Sequence, residues 1–242
     1  MNRVLYDCVH SITLMSHFYD AGNGRSYPSV TTIISEMTPE PWGITNWKNK
    51  NPNWEKQLER KSIIGTVSHF RILKRFAARG VLPLPDIKMC DFPSDLAEKA
   101  EIAEMMYNSL DLKLRPPYLP EYTVLSHKHK YAGTLDLHAF LLPDERWKNR
   151  AGNYVFDLKT SNAVHDTYGM QLSAYKNALE EMHPSNKVDG AAIINIHPFK
   201  DKNPYLEAKI TFFDLDQLDD AFAKFKCLAE EYHSQHTSGF GK

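Results

Sequence analysis

The chain has 242 residues, 29 Lys+Arg against 30 Asp+Glu for a formal net charge of −1, and 42% hydrophobic residues, with 14 Pro and 11 Gly. This composition excludes a disordered chain, which needs low hydrophobicity or a large charge imbalance, and a collagen-like repeat; no apolar run reaches the roughly 18 residues of a spanning helix. The near-neutral balance excludes a histone-like, globally basic binder and is compatible with a local basic groove beside an acidic site.

In chain order, Asp7 and His10 interrupt the stretch that would have to be the apolar part of a signal peptide, and the three cysteines, Cys8, Cys90 and Cys227, are odd in number and far apart. A cytoplasmic protein from a reducing compartment is expected, with no membrane partner. Asn53 to Gly80 has helical spacing through Ile63, Val67, Phe70, Leu73 and Ala77, and a second helix covers Ser94 to Leu110. After a break at Pro116-Pro117, Tyr122–Leu125 reads as a strand, Ser126–Lys130 as a basic hairpin turn and Tyr131–Leu142 as a longer strand. The polar loop Pro143–Gly152 precedes a strand at Asn153–Thr160 and a helix at His165–Met182. Strands at Val188–Ile196 and Tyr205–Phe213 follow, and Leu215–His233 closes the chain as an amphipathic helix through Leu218, Phe222, Phe225, Ala229 and Tyr232. This order predicts one α/β domain with a mixed sheet flanked by helices, its first 115 or so residues helical.

In the strand Tyr131–Leu142, Leu135, Leu137 and Leu141 share one face while Thr134, Asp136 and His138 alternate onto the other. In the next strand Asp157 and Lys159 project side by side, opposite Tyr154, Phe156 and Leu158. Two carboxylates on neighbouring strands with a lysine beside the second suit a divalent cation and phosphodiester hydrolysis, because that reaction must deprotonate a water and stabilise charge on phosphate oxygens. Hard carboxylate oxygens match Mg²⁺ or Mn²⁺, and a desolvated lysine can orient the water or help deprotonate it. The same three residues also suit a structural ion pair at a sheet edge.

Five segments stand in order: Tyr27-Pro-Ser-Val-Thr-Thr32, Gly65-Thr-Val-Ser-His69, Tyr131-Ala-Gly-Thr-Leu-Asp136, Asp157-Leu-Lys-Thr-Ser161 and Gln171-Leu-Ser-Ala-Tyr175. Together they resemble the RecB-like branch of the PD-(D/E)XK nucleases, and are similar to phage-type exonucleases, the mitochondrial genome maintenance exonuclease and, more distantly, CRISPR-associated RecB-like nucleases. The resemblance implies a restriction-endonuclease-like core. It implies a metal held by His69, Asp136, Asp157 and the backbone carbonyl of Leu158, with Lys159 as the catalytic lysine beside Asp136 and Asp157. Gln171 and Tyr175, one helical turn apart, would contact the nucleic-acid backbone, Gly133 would let the active-site layer close up, and Pro28–Thr31 would precede the core along the substrate channel. Glu121 is either an outer metal ligand or a solvated strand end, and Thr160 and Ser161 either bind phosphate or cap the following helix. A histidine in an oxygen-rich site tilts the preference towards Mn²⁺.

Basic residues cluster at Lys48, Lys50, Lys56, Arg60 and Lys61, at Arg71, Lys74, Arg75 and Arg79, and at Arg146, Lys148 and Arg150. Each is a solvated face or a source of sequence-independent phosphate contacts. Trp42, Trp47 and Trp54 lie among the first cluster, as base-stacking platforms or core anchors. His127 and His129 lack a cysteine or acidic partner at zinc-site spacing. Only Cys227 follows Tyr175, so the four-cysteine iron-sulfur site of some RecB-like nucleases is not expected. The expected activity is a metal-dependent DNA exonuclease acting on duplex ends or single strands, alongside replication or recombination proteins and including a virus- or phage-encoded protein acting in its host. A structure- or site-selective endonuclease and a catalytically silent nucleic-acid-binding subunit are the alternatives.

Overall fold

A computed structural model describes residues 17–22, 24–77, 93–161, 164–197 and 208–237. The elements run β1 (Phe18–Gly22), β2 (Arg25–Pro28), α1 (Val30–Met37), α2 (Trp42–Lys50), α3 (Trp54–Leu73) with a 3₁₀ turn at Lys74–Phe76, and α4 (Ser94–Ser109). They continue as β3 (Leu114–Ser126), β4 (Tyr131–Leu141), β5 (Gly152–Lys159), α5 (Asp166–Met182), β6 (Gly190–Asn195), β7 (Lys209–Phe213) and α6 (Leu215–Thr237). β3 to β7 form one mixed sheet in chain order, antiparallel except for the parallel pair β5–β6. Parallel neighbours cannot be joined by a tight turn, so α5 carries the crossover between them.

Both faces of the sheet are covered, which accounts for the nearly continuous apolar runs of β5 and β6. On one face Tyr154, Phe156, Leu158, Ala192 and Ile194 pack against the end of α3 through Ile72 and Leu73, and against α4 through Ala103, Met106 and Tyr107. On the other, Val155, Ala191 and Ile193 pack against α1, α5 and α6. The closing helix buries Leu218, Phe225, Ala229 and Tyr232, with Phe222 partly buried, as its spacing predicts.

Four expectations need correction. The amino-terminal part is not wholly helical, because β1 and β2 form an antiparallel hairpin leading into α1, whose N-cap Ser29 accepts the Thr32 amide at 2.9 Å. The Pro28–Thr31 segment is therefore a strand end and a helix cap. The prolines at 116 and 117 do not break the chain: β3 starts at Leu114 and passes through them with a register shift between Arg115 and Leu119. β3 is an edge strand, where a missing amide donor is tolerated. On α3 the buried stripe is Ile64, Val67, Ser68, Ile72 and Leu73, with Ile63 and Phe70 only half-buried; residues 78–80 of the predicted helix lie outside the described residues.

The fourth correction concerns the leucines of β4. Leu135 joins the α5 side of the core while Leu137 and Leu141 join the α4 side. Residues two apart share a face in a regular strand, so the alternation slips at Asp136. β3 slips at the same level: Leu119, Tyr122 and Val124 all pack on the α5 side, and Glu121 between them has φ +46°, left-handed for a non-glycine residue. The pairs Pro120 with Leu137 and Tyr122 with Leu135 bracket Glu121 and Asp136, which therefore face each other across the kink.

Candidate metal centre

At that kink α3 delivers His69 to the two carboxylates. One ligand atom each from His69, Glu121 and Asp136 lies within 4.8 Å of the others, a donor set that can hold one metal ion. His69 Nδ1 is 3.6 Å from Asp136 Oδ2, and the same oxygen accepts the Leu158 amide at 2.6 Å. That hydrogen bond ties β4 to β5 where their ladder ends and fixes the Asp136 carboxylate, which is only 8% exposed.

Asp157 stands on the next strand, wholly buried, with its carboxylate enclosed by α5 and Lys159. Lys159 Nζ donates to Asp157 Oδ1 at 3.0 Å and lies 2.7 Å from Oδ2. Gln171 reads both groups: its amide nitrogen donates to Asp157 Oδ1 at 3.0 Å and its carbonyl oxygen accepts from Lys159 at 3.1 Å. The same amide nitrogen donates to the Tyr175 hydroxyl at 3.1 Å, so residues four apart on α5 act as one unit. Tyr175 fits because Gly133 has no side chain: a Cβ there would stand 2.5 Å from Tyr175 Cε1. The Lys159 ammonium sits 5.0 Å from the Tyr168 ring centre.

The electrostatics follow from this crowding. Burial, with the Asp136 and Asp157 charges added, pushes Glu121 up to about 8. Burial pushes Asp157 up to about 6, against the pull of Lys159. Burial alone would lower the Lys159 pKa, yet the Asp157 and Asp136 carboxylates outweigh it and raise it, so Lys159 is an ammonium and not a free base. Two carboxylates, Asp157 and Asp136, thus act on one ammonium, with the Glu121 carboxyl held largely protonated beside them. The buried Asp157 Oδ2 accepts no hydrogen bond and meets the Lys159 ammonium at 2.7 Å as an ion pair. An oxygen-rich donor set of His69, Glu121 and Asp136 with surplus negative charge around it fits a divalent cation.

The structure brings His69, Glu121 and Asp136 together as one donor set, with the Asp157–Lys159 pair on the adjoining strand, and Glu121 is partly buried rather than at a solvated strand end. Asp157 and Leu158 are adjoining groups: the Asp157 oxygens face Lys159 and Gln171, and Leu158 contributes its amide to Asp136. Gln171 and Tyr175 are buried behind the carboxylates, where they hold Asp157 and Lys159 in place. Ser161 is not a helix cap; its carbonyl accepts from Asn195 at 2.8 Å and its hydroxyl from Tyr168 at 3.1 Å. The Thr160 hydroxyl lies 3.5 Å from where a Cβ on Gly65 would stand, a close approach of β5 to α3.

Two contributors escape the sequence. Tyr168 lies three residues before Gln171, a helical spacing that could have flagged it. Tyr19, whose hydroxyl meets Thr134 Oγ1 at 3.0 Å, sits on the unpredicted hairpin and carries no such signal. The two histidines of the hairpin turn diverge, His127 to the Tyr27 hydroxyl at 3.2 Å and His129 against Phe222 and Tyr131, so they do not form a zinc pair. Four arginines of the second and third basic clusters are paired internally. Arg71 and Arg75 bind Glu104 at 2.7 and 3.0 Å, Arg146 binds Asp144 at 2.6 Å, and Arg150 pairs with Asp214. Arg79, Cys8 and Cys90 lie outside the described residues, and Cys227 is exposed on α6. Among the described residues no helix is long and apolar enough to cross a membrane.

Comparison with protein-family models and with curated proteins gives no match to this chain.

Proposed function

We propose that the chain is a divalent-metal-dependent nuclease of the RecB-like PD-(D/E)XK type, hydrolysing phosphodiester bonds at DNA ends or in single strands. The observation that carries this reading is the convergence of His69, Glu121 and Asp136 beside a buried Asp157–Lys159 pair held by Gln171. Such a bound cation would supply Lewis-acid stabilisation of the phosphate and a nucleophilic water near neutral pH. The mixed nitrogen and oxygen donors favour Mn²⁺, and Mg²⁺ is the second candidate.

The protein's own part is positioning and charge. His69, Glu121 and Asp136 would hold the cation, and the Asp157 carboxylate, paired with Lys159, adds negative charge on the adjoining strand. Lys159, kept protonated by its carboxylate neighbours, donates hydrogen bonds to the attacking water or to a phosphate oxygen where charge accumulates. Gln171 and Tyr175 fix the Lys159 and Asp157 side chains before substrate arrives, which limits reorganisation during the reaction.

The exonuclease reading is tested with end-labelled linear DNA and a covalently closed single-stranded circle, each with Mn²⁺. The linear DNA is expected to be degraded and the circle to survive. Cleavage of the circle would indicate an endonuclease, and retention of both substrates uncut, with binding, a silent nucleic-acid-binding subunit.

A further inference from the structure

We propose that α2 and the first half of α3 form an arm that binds single-stranded nucleic acid and feeds it along α3 to the metal centre. The substrate follows from the nuclease reading, whereas the arm itself is argued from its own surface.

α2 buries none of its nine residues. A helix of a folded domain ordinarily buries an apolar stripe, so one that buries none has its apolar groups available to something else. Trp42 at its start is 79% exposed and the nearby Ile44 is 40% exposed. Tryptophan is highly buried on average, and a large flat ring left exposed on a helix that also carries lysines has one common nucleic-acid use, stacking on an unpaired base. Trp47 and Trp54 are only half-exposed and already carry Lys61 and Lys48 against their rings, at 5.6 and 4.6 Å.

The charge of the arm matches that occupant. Residues 42–61 hold five basic side chains, Lys48, Lys50, Lys56, Arg60 and Lys61, against Glu55 and Glu59. Lys48 is paired with Glu40 and Arg60 with Asp95, but Lys50 and Lys56 make no ion pair among the described residues. The other two basic clusters have several of their arginines tied to internal carboxylates, so this arm is where mobile positive charge coincides with exposed aromatic surface. α3 joins the arm to the site without a break: Trp54 opens the helix and His69 lies fifteen residues later, about 22 Å along it. A duplex hides its base faces, so stacking on Trp42 selects a single strand.

The test is binding of a short fluorescein-labelled oligothymidylate to the full chain in EDTA, followed by anisotropy, so that no cleavage intervenes. Trp42→Ala is expected to weaken binding at least about fivefold, with Trp42→Phe retaining most of the affinity. The Lys50→Ala/Lys56→Ala variant is expected to lower the salt slope by roughly 0.7 per lysine. A matching duplex is expected to bind more weakly and to be indifferent to Trp42→Ala. Wild-type affinity in both variants, or no binding by the wild type in EDTA while Mn²⁺ still supports cleavage, would overturn the arm and leave the nuclease reading standing. Arm-dependent binding with no cleavage under any divalent cation would do the reverse.

Discussion

A carboxyl held up at about 8 is largely uncharged at neutral pH, and Glu121 owes this to burial, with the Asp136 and Asp157 charges added. Between its ordinary value of 4.5 and about 8 the folded protein keeps a proton that the unfolded chain releases. The metal-free fold therefore loses stability as pH rises through that window, by up to about 1.4 kcal/mol for each pH unit, opposite in sign to a salt-bridged carboxylate. Glu121→Gln removes this term, so its melting temperature in EDTA is expected to fall less between pH 5 and 8 than that of the wild type. Mn²⁺ needs the ionised carboxylate and displaces its proton. Its stabilisation of the wild type should then be larger at pH 8 than at pH 5, and that difference should shrink in Glu121→Gln. Equal pH slopes for the two proteins in a thermal melt would contradict the assignment. Gln171 gives a second test at this scale. Losing its bonds to Asp157 and Lys159 removes charge-assisted hydrogen bonds worth about 1.5–3 kcal/mol, so Gln171→Ala is expected to lower kcat about tenfold or more while KM changes little.

At the scale of elements, the β4–α5 contact is set by one missing methyl group. The Tyr175 ring is buried and its hydroxyl is bonded to Gln171, so it cannot swing aside for a Cβ that would stand 2.5 Å away. Gly133→Ala is expected to cost about 1–3 kcal/mol in a denaturant melt and to lower activity by displacing Gln171. Adding Tyr175→Ala should make the glycine substitution nearly neutral in the double-mutant cycle; independent, additive costs would contradict the contact. The helices α3 to α6 and the β4 to β7 strands were legible because their apolar residues repeat at helical or strand spacing, whereas α1 and α2 were not read from the sequence. The kink was not. Leu135, Leu137 and Leu141 keep strict alternation in the sequence, and only the burial of Leu135 on the opposite side from the other two reveals the slip at Asp136. Glu121 shared that fate: its φ of +46° accompanies a position facing His69 and Asp136 rather than a solvated strand end, and a glutamate carries no local signal for a left-handed backbone.

Across the whole molecule, the net charge of −1 conceals two opposite devices. Carboxylates accumulate at one site with too little compensation, and most of the arginines that might have offset a distant acidic patch are paired locally with Glu104, Asp144 and Asp214. Two of those four pairings join residues more than thirty positions apart, which is why the arginine-rich clusters looked like the lysine-rich one in the sequence. The site draws on four regions, at His69, Glu121, Asp136 and residues 157–175, so its pieces were legible as motifs while their order of contact was not. Spacing could bring Asp157 beside Lys159. It could not show that Gln171 and Tyr175 are buried, with Gln171 bonded to both Asp157 and Lys159.

The metal centre is tested most directly by digesting end-labelled single-stranded DNA with purified wild type, Asp157→Asn and Lys159→Ala, in EDTA and with Mn²⁺ restored. The wild type is expected to release label only with the cation. Both variants should keep a cooperative melt while losing activity by about a hundredfold or more. Full cleavage by either folded variant, or wild-type cleavage undiminished in EDTA, would contradict it.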